Sequence, residues 1–328
     1  MDPPVKPAGD KTGLCRGKGP ILAFVAAVLL ATSTAAEPLD DVKWLHAGAD
    51  RVAALTTAPP ECLAMPEDEE AAFLVEAGRI AFRSHFLLGG PAARTGLSCQ
   101  SCHVNGHDNP DFHLEGLSGA PGTLDATSHL FSKTRGDATF NPVPIPSLVD
   151  AGMRTRFGHA GTVPTLRAFI AGVIIDEFQG APPPAALFEA VVAYVDALKS
   201  EACPAAETAP ITLADDLDTI RRGALAASLA LARRETALAD FLMLALRGLL
   251  GRIHQRFDLP GLEEQAGQLV LLSGQLGLLR GLAREDVESA RTGLAEWRLR
   301  LAAAGQDLAA REPGSLYNPR MLKAALSD

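Results

Sequence analysis

The pentapeptide Cys99-Gln100-Ser101-Cys102-His103 constrains this chain more than any other feature. Two thiols three residues apart can add across both vinyl groups of one haem, and the next residue's imidazole then sits beneath the iron. A chain organised around that group needs an apolar wall for it. Two other uses of a C-x-x-C pair fit less well. A structural zinc site wants a second Cys/His pair, and the only H-x-x-x-H, His103 to His107, overlaps the motif itself. A thioredoxin-like dithiol wants a βαβ setting, whereas Phe86 to Pro110 is rich in Gly, Pro and Asn. The motif therefore reads as one covalent c-type haem, with Cys99 and Cys102 as attachment points and His103 as proximal ligand.

The N-terminus agrees with such a cofactor, which bacteria attach outside the cytoplasm. Lys6, Lys11, Arg16 and Lys18 precede the apolar run Ile21 to Ala31, and Ser33-Thr34-Ala35-Ala36 follow it. This is the pattern of a secretory signal over residues 1–36, with periplasmic export as the expectation. The run is shorter than the ~20 apolar residues that span a bilayer, so no stable membrane span is expected once the signal is removed. Cys15 precedes the run and is no lipoprotein site.

About 292 residues then remain, enough for two domains. Residues 37–204 carry 21 acidic and 11 basic side chains, and residues 205–328 carry 16 and 15. An acidic front half is unsuited to nucleic acid and suited to a basic redox partner protein, or simply to solubility. Outside the signal and the haem motif only Cys62 and Cys203 are left, and in an oxidising compartment such a pair is expected to bridge. The loop closed would be about 140 residues long, for ~4–5 kcal/mol in the chain-entropy view.

In the front domain, residues 37–204, Pro66 to Glu70 opens a helix whose Phe73, Leu74, Ala77, Ile80 and Ala81 recur at helical spacing through Phe82. Pro184 to Lys199 forms a second, with Leu187, Val191, Tyr194, Val195 and Leu198 on one face. Gly78-x-x-x-Phe82 and Ala193-Tyr194-Val195, taken with the haem motif, resemble the first and last helices of the class I cytochrome c fold. That likeness implies that the two helices cross at a glycine. Phe86-Leu87-Leu88-Gly89-Gly90, Leu97-Ser98 before the motif, Pro146-Ser147-Leu148, Arg156-Phe157-Gly158-His159-Ala160-Gly161 and Thr165-Leu166-Arg167 resemble one half of the dihaem cytochrome c peroxidase family. That family includes the oxidase maturing methylamine dehydrogenase, and the resemblance spans about residues 70–200. Members carry two haem motifs, and this chain has one. In the family's electron-transfer half a Met or Tyr ligand follows the Phe-x-His-x-Gly histidine by about fourteen residues; here that position is Val173, which cannot bind iron.

For the open side of the iron, Met153 is the distal candidate, in a Pro-rich stretch, with a gap-filling core role as its alternative. His113, His129 and His159 are further candidates, while His107 lies too near the attachment turn. If none binds, the iron is open to a small ligand. Phe131, Phe140 and Ile145 are expected to wall the ring, and Arg135 with Arg154 or Arg156 to pair with its propionates.

Past the linker 205–210 the chain turns Leu- and Ala-rich. Three helices are expected: one capped by Thr212 and bearing the stripe Leu238, Leu242, Leu246, Leu249, Ile253, Phe257, a second reaching about Leu282, and a third from Val287 to Leu308. Gly274, Gly277 and Gly281 lie inside the second, at about 1 kcal/mol each against Ala; close helix contact would account for them. The whole reads as all-α: a class I cytochrome c-like haem domain followed by an antiparallel α-helical bundle, residues 205–328, that docks a partner, oligomerises or shields the haem. Electron transfer is the expected function, with a peroxidase or oxidase site and a haem-based sensor as alternatives.

Overall fold

The computed structural model describes residues 37–327, so the export segment expected over residues 1–36 lies outside the described residues. The described chain is mostly helical. The short α1 (Arg51–Thr56), capped by the Asp50 carboxylate, leads into β1 (Thr57–Ala58), which pairs antiparallel with β4 (Ala209–Pro210). A second small ladder joins β2 (Thr123–Leu124) to β3 (Val143–Pro144).

Helix α2 spans Glu69–Phe82, starting where the Asp68 side chain accepts the Ala71 N–H and Glu69 and Glu70 face the positive end of the helix dipole. It buries Phe73, Ala77, Ile80 and Ala81 against α6 (Ala185–Asp196), whose Leu187, Val191, Tyr194 and Val195 are buried in return. The crossing is at Gly78. A Cβ there would lie 1.9 Å from the Ala190 carbonyl oxygen and 2.8 Å from Tyr194 Cβ, so no side chain fits. One turn on, the Phe82 and Tyr194 rings lie 5.1 Å apart.

The Tyr194 hydroxyl, at the foot of this crossing, donates to Glu61 at 2.6 Å, and Glu61 also takes Arg79 at 2.6 Å and Arg83 at 2.9 Å. Burial alone would raise the Glu61 pKa; the guanidinium charges of Arg83 and Arg79 and the hydrogen bonds hold it at about 2. The next residue, Cys62, has its sulfur at disulfide distance, 1.98 Å, from that of Cys203. The segment before α2 is thereby tied to the chain leaving α6.

Four long helices follow: α7 (Leu213–Ala232), α8 (Thr236–Phe257), α9 (Glu263–Glu285) and α10 (Val287–Arg311), each packed on the next, with α10 returning to α7. Thr212 caps α7 as expected. The sequence suggested three helices because no Gly or Pro marks the break before α8. The chain nevertheless reverses at Arg233-Arg234-Glu235, with Arg234 at φ +61°. Unbroken, residues 213–257 would make a rod of about 68 Å, far longer than any helix able to pack beside it.

The apolar core is continuous from α2 and α6 into α7 and α8. Gly223 marks the junction, since a Cβ on it would lie 2.8 Å from both Ile80 Cδ1 of α2 and Leu246 Cδ2 of α8. After α10 the chain turns through Glu312–Gly314 into α11 (Pro319–Ala325), whose Leu322 packs with Leu39, Val42 and Leu55. The glycines of α9 are not explained by packing within the fold. No described residue comes within 4 Å of a Cβ placed on Gly274 or Gly281, and beside Gly277 stands only the end of Arg247. Among the described residues no helix is long and apolar enough to cross a membrane.

Candidate functional site

The two motif cysteines form a single helical turn, α4 (Cys99–Cys102). Ser98 and Ser101 cap it reciprocally, and the His103 N–H closes it on the Cys99 carbonyl at 2.8 Å. The intervening residues are structural. Gln100 brackets Asn105, donating to its Oδ1 at 3.1 Å and accepting its N–H at 3.1 Å, while Arg83 donates to the same Oδ1 at 3.0 Å. Asn105 can then take φ +52°, and Gly106 follows at φ +87°. This double left-handed turn swings the chain away directly after His103. Gly106 is obligatory on contact grounds as well, because a Cβ would meet Leu198 Cδ1 at 2.5 Å.

His103 is the chemically committed residue. Its Nδ1 lies 3.0 Å from the Pro146 carbonyl oxygen. Nδ1 therefore carries the proton and donates it to that acceptor, leaving Nε2 as a lone-pair donor. Burial lowers the pKa to about 4, outweighing the Pro146 bond, so the ring is neutral at any physiological pH. Pro146 is fixed in turn, because two residues on the Leu148 N–H donates to the Gly106 carbonyl at 2.7 Å.

Cys102 sits in an apolar cluster with Leu88, Leu97, Phe112, Leu117, Phe131, Ile145 and Phe178, and Cys99 packs at its edge. Burial pushes the Cys99 thiol up to about 12 and Cys102 higher still. Both side chains are therefore neutral thiols in this environment. Phe131 and Ile145, two of the expected wall residues, belong to this cluster, with Phe131 and Phe178 5.2 Å apart. Phe140 does not: it is 60% exposed.

Sequence reasoning missed one ionisable group here. After α5 (Leu166–Gly172) a π-helical turn, Val173–Glu177, brings the Glu177 carboxyl near enough to Cys102 for its charge to reinforce the rise of that thiol. Burial pushes Glu177 itself up to about 7, partly offset by Arg135, whose Nη1 lies 3.2 Å away. Arg135, expected to bind a propionate, thus already has a carboxylate partner. It reaches that place because Gly172 lacks a side chain: a Cβ there would lie 2.5 Å from Arg135 Nη2. No local pattern announces this group, whose position depends on a π turn.

The other candidates disperse. Met153 ends a short 3₁₀ turn, Ala151–Met153, and is 72% exposed, which removes the core-filling role. Its turn is fixed to the end of α6, through the Asp150 N–H on the Leu198 carbonyl at 2.9 Å and the Ser200 N–H on Asp150 Oδ1 at 3.0 Å. His107 Nε2 lies 3.0 Å from the Pro60 carbonyl and 3.4 Å from the Cys62 sulfur, so it serves the disulfide end of the molecule. His113 keeps a buried Nδ1 without a partner, and His129 and His159 are exposed. Arg154 donates to the Ser147 and Val149 carbonyls, and Arg156 is exposed. A cleft of about 360 Å³ receives Gln100 and Ser101 but none of Cys99, Cys102 or His103, so it is separate from this site. Among the described residues no cluster of three His, Cys, Asp or Glu side chains could hold a bare metal ion.

Comparison with protein-family models finds no matching family, and comparisons with curated proteins and with solved structures find no match.

Proposed function

We propose that the chain is an exported c-type cytochrome that transfers electrons through one haem bound covalently to Cys99 and Cys102, with His103 as proximal ligand. One observation carries the reading: the His103 Nδ1 to Pro146 carbonyl bond, at 3.0 Å, in the residue directly after two cysteines on one helical turn. Metal-bound imidazoles usually donate their second nitrogen to a carbonyl or carboxylate, which fixes the tautomer and makes the ligating nitrogen a better donor. The donor set fits the group. Two neutral thiols on one turn suit addition to two vinyls, and the wall of Leu97, Phe112, Phe131, Ile145 and Phe178 suits a flat apolar ring. The α2–α6 crossing at Gly78 agrees with the class I cytochrome c likeness.

When bound, haem supplies one-electron redox chemistry. The protein's own residues would hold it at Cys99 and Cys102 and set the tautomer of His103. Met153 is the proposed distal ligand, and the acidic front half suits a basic redox partner. The ferric absorption spectrum of the haem-loaded protein tests this: a low-spin spectrum that turns high-spin in Met153→Leu supports it, and an unchanged spectrum removes Met153 from the iron.

A second reading, a peroxidase or oxidase site, is favoured by Glu177. A shielded carboxyl with a pKa of about 7 beside the haem-attaching Cys102 can hold or hand on a proton at its Oε atoms near neutral pH. High-spin iron that binds added ligands quickly, together with peroxide turnover lost in Glu177→Gln, would favour it over simple electron transfer.

A further inference from the structure

The two ends of the Cys62–Cys203 bridge are not alike. Cys62 is fully buried, whereas Cys203 is exposed, as is every residue after it to Thr208. Cys203 is thus the half that a thiol from outside can reach, and exposed disulfides are the labile ones. The buried end is equipped for departure. His107 Nε2 lies 3.0 Å from the Pro60 carbonyl oxygen and 3.4 Å from the Cys62 sulfur. A carbonyl brings no proton, so Nε2 carries one, and the same N–H faces the sulfur. Burial disfavours a thiolate and makes a buried cysteine a poor leaving group; a hydrogen-bond donor at its sulfur offsets that cost.

The fold holds the Cys62 end without the bridge. The Lys199 N–H donates to the Cys62 carbonyl at 2.8 Å and the Ala64 N–H to the Ala197 carbonyl at 2.9 Å, with Leu63 and Leu198 paired antiparallel between them. Glu61, one residue before, is fixed by Arg79, Arg83 and Tyr194. Opening the sulfur–sulfur bond therefore leaves Cys62 in place beside His107. Cys203, in contrast, heads an exposed segment without regular structure, residues 203–208, which can turn its sulfur outward. One fixed, shielded sulfur and one accessible, movable sulfur are what exchange with an outside thiol requires: the second takes the mixed disulfide, and the first stays positioned to close the bridge again.

We propose that Cys62 and Cys203 form a thiol–disulfide exchange site for a dithiol partner, attacked at Cys203, with Cys62 as the leaving thiolate held by His107. One thiolate of the dithiol attacks Cys203 Sγ. The new sulfur–sulfur bond forms as the bond to Cys62 breaks, and the electron pair stays on Cys62 Sγ under the His107 N–H. The second thiolate of the dithiol then attacks its partner sulfur in the mixed disulfide and releases Cys203. The dithiol is oxidised to a disulfide and the bridge is reduced to two thiolates, which take from solvent the two protons the dithiol gave up.

The folded full chain, treated with reduced glutathione, quenched in acid and mapped by peptide mass, should carry glutathione on Cys203 and leave Cys62 as the free thiol. Excess dithiothreitol should open the bridge while the far-ultraviolet circular dichroism of the folded protein is retained. His107→Leu should slow that opening at least tenfold. His107→Gln, which keeps an N–H donor for both the sulfur and the Pro60 carbonyl, should open close to the wild-type rate. The glutathione map and the opening of wild type need no variant, so they decide the case even where His107→Leu does not fold. Glutathione on Cys62 or on both cysteines alike, a bridge that dithiothreitol opens only on unfolding, or a folded His107→Leu that opens as fast as wild type would overturn the proposal.

Discussion

The imidazole of His103 and the carbonyl of Pro146, forty-three residues apart in sequence, meet at 3.0 Å. The bond fixes which nitrogen of His103 keeps a free lone pair, as the proposed role of ligand requires. A substitution that moves the Pro146 carbonyl without touching His103 should therefore be felt at the iron. Gly106→Ala is such a change, because its Cβ strikes Leu198 and the Gly106 carbonyl holds Leu148. The haem-loaded variant should show a shifted reduction potential, measured by redox titration, with the haem still attached.

Glu177 predicts a pH dependence. Its folded pKa of about 7 stands above the ordinary 4.5, so the folded state binds its proton more tightly than the unfolded state. The stability it contributes is complete below pH 4.5 and is lost as pH rises through 7, with an upper limit of about 3 kcal/mol. Urea unfolding of wild type should show stability falling between about pH 4.5 and 7 and levelling above that. Glu177→Gln should flatten that fall, and an equal slope in both proteins would contradict the assignment.

The crossing at Gly78 predicts a severe local cost. Gly78→Ala drives a Cβ to 1.9 Å from a backbone oxygen that no side-chain rotation can move. The helices must separate, at about 3 kcal/mol or more, because overpacking a close backbone contact leaves no cheap relaxation. Chemical denaturation should read this as a lower midpoint with little change in slope.

Removing the Cys62–Cys203 bridge, by Cys62→Ala with Cys203→Ala, should lower stability by about 3–5 kcal/mol, since it frees a segment of 141 residues in the unfolded chain. The core shared by α2, α6, α7 and α8 predicts further that residues 37–204 and the bundle unfold together. Haem absorbance and far-ultraviolet circular dichroism should therefore give one coincident thermal transition.

Much of this was legible in the chain itself, for reasons that are local. Thr212 caps the helix it was expected to cap, the helix expected to open within Pro66 to Glu70 starts at Glu69, and Leu187, Val191 and Tyr194 are buried at the spacing that announced them. The pairing of Cys62 with Cys203 followed from arithmetic on the remaining cysteines. What sequence could not give was non-local or lacked a breaker. The turn at Arg234 is held by helix packing on either side, and no Gly or Pro marks it. Phe140 looked like a wall residue by its neighbourhood alone, yet its loop leaves it in solvent. The meeting of Glu177 with Arg135 over Gly172 spans forty-two residues and has no periodic signature. The Pro146 acceptor of His103 was hidden in the same way, although Pro146 itself had been singled out by resemblance.

The account rests most directly on whether this polypeptide carries a porphyrin. Protein secreted by a host equipped for haem attachment should be red, and its intact denatured mass should exceed that of the bare chain by one haem, the increment vanishing when Cys99 and Cys102 are both replaced by Ala. Colourless secreted protein with the bare-chain mass would contradict it.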